Sequence, residues 1–201
     1  MAEAKSNQAA INEKEILAMD ARTLAKKIAS QEFTSAFVTS VFIKHIKKVN
    51  EALNCLVEDR FEQAMQEAER ADEEIRKNGA GNKKLLGVPI SMKESFDVAE
   101  MKTTGGLMHR KNAVSQRDAD VVAALKTEGS IILGKTNTPT LCFCQETVNK
   151  LYGRTNNPWD LSRTPGGSSG GEGALLAVGG AAAGIGSDIG GFLYQEKKYS
   201  I

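Results

Sequence analysis

Apolar residues recur at helical spacing through the first 78 positions. Leu24 and Ile28 follow Asp20; Phe37, Val41, Ile46 and Val49 follow Thr34 and Ser35; Ala64, Met65, Ala68, Ala71 and Ile75 follow Phe61, with acidic residues between them. This spacing predicts three amphipathic helices, the first two opened by side-chain caps and the third closed at Asn78 and Gly79. Residues 53–57 form a short apolar run and predict a strand. Beyond Gly79 the pattern alternates. Residues 86–92 predict an apolar strand, Asp118 caps a helix carrying Val121, Val122 and Leu125, Gly129 ends it, and residues 130–134 predict a second buried strand. Thr138 and Pro139 look like the cap and first turn of a short helix through Cys144. Residues 156–171 form a long polar loop, followed by a Gly- and Ala-rich helix from about Glu172 and a small-residue strand over 181–185. Strand, helix, strand in this order predicts an α/β fold with a sheet core. The expected division is a helical part over 1–78 and a sheet core over 79–191. No internal repeat is visible.

The chain has 201 residues, enough for one domain or the better part of one, and the net charge of +1 provides no field for gathering nucleic acid. The first twenty residues lack a basic segment followed by an apolar one, and no run reaches the ~18 apolar residues that span a bilayer. Cys55, Cys142 and Cys144 cannot all pair with one another, and Cys142-Phe-Cys144 has no second pair for a tetrahedral metal site. Buried, reduced thiols and a cytoplasmic location are expected. His45 is expected to face a groove and His109 the surface. Phe37, Val41 and Phe42 could form a membrane-docking face, but at helical spacing they belong to the core.

Eleven of the 19 glycines lie between Gly166 and Gly191, and none precedes Gly79. A phosphate loop would need Lys after Gly171, where this chain has Glu172, and a carboxylate there repels phosphate. A dinucleotide fingerprint starting at Gly184 or Gly171 would need glycine where Ile189 or Leu176 stands. Gly166-Gly167-Ser168-Ser169-Gly170 satisfies the G-x-S-x-G elbow that exposes a serine between strand and helix. Both histidines precede it, however, so a Ser-His-Asp order fails. A serine enzyme without histidine needs another base. Lys93 closes the apolar strand Leu86-Gly-Val-Pro-Ile-Ser-Met92, where burial disfavours its ammonium form.

The run GVPISMKESFDV with Lys93, the loop NNPWDLSRTPGGSSGGEGAL with Ser168, and GIGSDIGG together resemble the amidase signature hydrolases. Within that family the likeness is to the fatty-acid amide hydrolases, particularly their second branch. LNCLVEDRFEQAMQEAERAD, RDADVVAALK and NKLYGRTNNPWD extend it over roughly residues 15–191. The resemblance implies the N-terminal part of an amidase signature fold, a mixed sheet covered by helices. It implies a neutral Lys93 that accepts a proton through Ser168, a bridging serine in a cis peptide, while a second serine attacks an amide carbonyl. The backbone N–H groups of Ile189, Gly190 and Gly191 would form the oxyanion hole. A lipid amide is the implied substrate. No metal or organic cofactor is implied, because base, shuttle, nucleophile and oxyanion donors are all protein groups.

The family places its nucleophilic serine where this chain has Phe192, and residues 192–201 depart from the pattern altogether. A phenyl ring has no lone pair to attack with, so the expected chain is a catalytically dead amidase, incomplete by comparison with family members more than twice its length. The alternative reading is a noncatalytic lipid-binding or interaction fragment. An uncovered sheet edge then predicts a homodimer or a peripheral membrane contact. Ser187 is expected to orient its loop by hydrogen bonding rather than to replace the nucleophile.

Overall fold

The helical spacing at the start of the chain resolves into a layer of helices that covers one side of a sheet. The computed structural model describes residues 13–189. A short α1 (Glu13–Leu17) leads into α2 (Ala21–Ala29) and α3 (Ser35–Leu53), then strand β1 (Leu56–Asp59) and α4 (Phe61–Asn78). Asp20 accepts a hydrogen bond from Thr23 N, and Thr34 Oγ1 accepts one from Phe37 N, so both expected caps form. The N-terminus of α3 has a second anchor in Asp72 of α4, whose carboxylate accepts from Ser35 N (2.6 Å) and Ala36 N (3.0 Å). Burial raises the pKa of Asp72, against the lowering effect of these two amides. Replacing Asp72 with Ala frees two orphan amides at a helix start, and urea unfolding at neutral pH should register a loss of about 1–2 kcal/mol.

The second half supplies β2 (Pro89–Lys93), α5 (Asp120–Thr127), β3 (Ile131–Thr136), the small hairpin β4 (Val148–Asn149) and β5 (Gly153–Arg154), α6 (Gly170–Ala177) and β6 (Ala183–Ile185). The main sheet has the order β1-β3-β2-β6. Strand β2 runs parallel to β3 and β6, and β1 runs antiparallel to β3, which makes the sheet mixed. Central strands β2 and β3 are buried at every residue, as expected of parallel strands covered on both faces. Val38, Val41, Phe42 and Ile46 of α3 join Ala64, Ala68 and Ile75 of α4 and Ile90, Met92 and Ile132 of the sheet in one core. Val41 and Phe42 therefore belong to the core rather than to a membrane face. No helix among the described residues is long and apolar enough to cross a membrane.

Several local expectations change. Leu53 ends α3 instead of starting a strand, because Asn54 takes a left-handed conformation (φ 48°) that stops the helix, and β1 begins only at Leu56. Asp118 does not cap α5. Its carboxylate accepts from Ala99 N (2.8 Å) and pairs with Lys126 (2.8 Å), tying the helix to the preceding loop. The short helix through Cys144 shrinks to a 3₁₀ turn over Thr140–Cys142, with Leu141 and Cys142 at positive φ. Thr138 Oγ1 is engaged by the Ser168 carbonyl and Cys142 Sγ instead of capping that turn. Of the two thiols in the C-x-C pair, Cys142 is buried and Cys144 is exposed.

Candidate active site

Strand β2 delivers Lys93 into the interior. Residues 91 and 93 lie two apart on a strand and share a face, so the polar side chains Ser91 and Lys93 both rise from the otherwise apolar run 88–92. Lys93 has no solvent exposure. Its Nζ lies 2.6 Å from Ser168 Oγ and donates to the carbonyl of Ser187 at 3.0 Å. Burial is the largest influence on this amine and holds it below the usual lysine range, opposed by Cys142, Asp188 and Glu172. In its neutral form such an amine keeps two N–H groups and one lone pair, so with one N–H on the Ser187 carbonyl it can turn the lone pair to the Ser168 hydroxyl and take its proton.

Ser168 is buried at the end of the polar loop, two residues before α6. The Gly167–Ser168 peptide is cis. No strand leads into this serine, so the loop differs from the strand-to-helix elbow that G-x-S-x-G suggests. The Ser168 carbonyl accepts from Thr138 Oγ1 (3.0 Å). Ser169 fixes the opposite wall, with its Oγ accepting from Ser187 N (3.2 Å) and donating to Ser187 O (3.1 Å). Ser187 thus orients its loop through its backbone, and its carbonyl serves Lys93 and Ser169 together.

The glycines of the 166–173 run make room for backbone. A Cβ at Gly171 would stand 2.4 Å from Asn137 N and 2.5 Å from Asn137 O, a distance no real side chain tolerates. This close approach lets Gly171 N donate to Asn137 O (3.2 Å), which docks the start of α6 against the end of β3.

Glu172 was expected only to argue against phosphate, but it is buried beneath the sheet. Ser91 Oγ donates to its Oε2 (2.6 Å) and Thr136 Oγ1 to its Oε1 (3.0 Å). Burial pushes the carboxyl pKa up to about 7, with Ser91, Thr136 and Lys93 pulling it down. The alternation Ser91-Met92-Lys93 in a strand buried throughout was the available signal for a polar cluster here. Thr138, Ser169 and Cys142 also line the surroundings of the pair, a placement that no local pattern along the chain signals.

Of the three expected oxyanion donors, Ile189 is described and is exposed, while Gly190 and Gly191 lie outside the described residues, as does Phe192 at the nucleophile position. His45 is part-buried with Nε2 2.7 Å from the Val178 carbonyl, and His109 is exposed; neither approaches Lys93 or Ser168 by any of these contacts. Among the described residues no group of three or more His, Cys, Asp and Glu could hold a metal.

The comparisons with known proteins agree with this architecture. The amidase family profile matches residues 37–192. Fatty-acid amide hydrolase 2-A of Danio rerio is 46% identical over 182 residues, covering 88% of this chain and 34% of that protein. Fatty-acid amide hydrolase 2 of Homo sapiens is 43% identical with 88% and 34% covered. A solved structure of a fatty acid amide hydrolase superposes with a TM-score of 0.84 at 32% identity, over 92% of this chain and 33% of that one. The chain belongs to the amidase signature family and carries part of its α/β fold. It is a homologue of the fatty-acid amide hydrolases that spans about a third of the length of the curated relatives it matches.

Proposed function

We propose that this chain carries the base and proton shuttle of a fatty-acid-amide-hydrolase-like serine amidase, disarmed at the position of its nucleophile. The observation that carries the reading is the fully buried Lys93 amine 2.6 Å from Ser168 Oγ. In the working chemistry Lys93 takes the Ser168 proton while Ser168 takes that of a serine at position 192, whose alkoxide attacks the carbonyl of a lipid amide. The N–H groups of Ile189, Gly190 and Gly191 receive the negative charge that develops on the carbonyl oxygen. Lys93 then returns the proton through Ser168 to the departing amine, and water releases the acid by the reverse route. Phe192 has neither a lone pair nor a proton for these steps, so this chain does not hydrolyse amides. A cytoplasmic chain meeting its lipid at a membrane surface fits this role.

A second reading, a noncatalytic lipid-binding or interaction protein, is favoured by Phe192 itself, since a large apolar side chain at that position suits retention of an acyl chain better than attack. Fluorophosphonate labelling of the folded 201-residue chain and its Phe192→Ser variant, read by intact mass, tests the first reading. Adduct on Phe192→Ser alone supports it; a folded Phe192→Ser chain that takes no adduct sinks it.

A further inference from the structure

Glu172 has no part in the proton route above, yet its surroundings are built around its carboxyl group. It is 3% exposed, and its two oxygens are each held by a hydroxyl on a different central strand, Ser91 of β2 and Thr136 of β3. The third strand makes room for it: a Cβ at Gly184 of β6 would lie 2.1 Å from Glu172 Oε2 and 2.9 Å from Ser91 Oγ. Three adjacent strands thus shape one pocket for one carboxyl group. Lys93 follows Ser91 on the same face of β2, and its register partner on β3 is Thr136. The carboxyl group therefore lies on the same face of the sheet as the amine, held by the residue two before Lys93 and by the residue opposite it, and each group feels the other's charge in an interior where charges interact strongly.

Resting on the reading of Lys93 as the base, we propose that Glu172 is its positioning residue, a buried carboxyl group clamped by Ser91 and Thr136 that governs whether the neighbouring amine carries a proton. The pair has one net charge state in two forms. Either the carboxylic acid stands beside a neutral amine, which can accept from Ser168, or a carboxylate stands beside an ammonium, which cannot. Gaining the negative charge on Glu172 therefore favours the unreactive form of Lys93, and holding the proton on Glu172 favours the reactive one. The other titratable groups facing the pair are Cys142 and Asp188, which face Lys93, and Cys55, which faces Glu172. The Cys55 thiol is pushed up to about 12 by burial and stays neutral through the physiological range.

The test follows the two titrations in the full chain. With ¹³C-lysine incorporated, the Cε resonance of Lys93 is identified by its absence from Lys93→Met and followed from pH 5 to 11. Glu172→Gln keeps the shape and loses the charge; the Lys93 midpoint is expected to fall by about one pH unit or more, the effect of removing a nearby opposite charge. Coupling is reciprocal, so in Lys93→Met the Glu172 carboxyl midpoint, read by ¹³C-glutamate labelling, rises by a similar amount. A Lys93 midpoint that stays in place in a natively folded Glu172→Gln chain overturns the proposal, because a purely structural carboxyl group would leave it there. If Glu172→Gln does not fold, Lys93→Met decides: a shifted Glu172 midpoint upholds the coupling, and an unmoved one overturns it. Both titrations are legible whether or not Phe192→Ser takes a fluorophosphonate, so failure of the catalytic reading and failure of this pairing are separate results.

Discussion

On a Phe192→Ser background, replacing Lys93 with Ala is expected to slow fluorophosphonate labelling by roughly 10²- to 10⁴-fold, the usual contribution of a positioned general base. The serine hydroxyl at position 192 would remain, but nothing buried would be left to draw its proton through Ser168. Ser168→Ala should cause a loss of the same order, and the double replacement should cost little more than either alone. Groups that act as one relay fail together rather than additively. Labelling rates over a range of probe concentrations separate the outcomes. A Lys93→Ala variant that labels as fast as its parent would mean that the 2.6 Å contact between Nζ and Oγ has no chemical role.

The second large effect concerns the other fully buried lysine. Lys135 of β3 has no solvent exposure and donates to Lys102 O and Thr103 Oγ1, with Glu94, Glu58 and Asp97 nearby. Burial lowers its pKa to about 8, against the raising effect of those three acids. Between about 8 and the ordinary lysine value of 10.5 the unfolded chain holds a proton that the folded chain has released. Folding is therefore favoured increasingly as pH rises through that window, by about 3 kcal/mol in total, and the contribution is absent below pH 8. Lys93, also lowered, acts in the same direction, and Cys55, raised, acts in the opposite direction. The difference in unfolding free energy between the natural chain and Lys135→Met isolates the one group. Urea unfolding of both from pH 7 to 10.5 should show that difference moving by about 3 kcal/mol in favour of the natural chain. A constant difference across the window would contradict the burial of Lys135.

The elements most legible in the sequence were those in which one physical signal acted alone. The helix Phe61–Asn78 has a clean apolar face and ends at Gly79, and it forms over that span. Lys93 stood out because a cation closing an apolar strand is costly to bury, and the long motifs around it and Ser168 located the pair. Boundaries failed where a side chain had a distant partner. Asp118 bonds to Ala99 and Lys126, and Thr138 bonds to Ser168 and Cys142, so neither serves the helix start that its position suggested. Glu172 was invisible for the same reason: its partners Ser91 and Thr136 lie 81 and 36 residues away, and only the sheet brings them together.

The turn after α3 reaches further than its position suggests. Asn50 Oδ1 accepts from Cys55 N and Leu56 N, both at 2.8 Å, and Asn50 Nδ2 donates to Leu56 O at 2.8 Å, which fixes how β1 leaves the helix. The carbonyl of Cys55 then receives Asn137 N (2.8 Å), and Asn137 O receives Gly171 N (3.2 Å). These five hydrogen bonds join the end of α3 to the peptide that precedes Glu172 and follows Ser168 and Ser169. Asn50, which touches no part of the Lys93 amine in these contacts, is thus tied by its side-chain amide, through the backbone of Cys55 and Asn137, to the segment that follows Ser168.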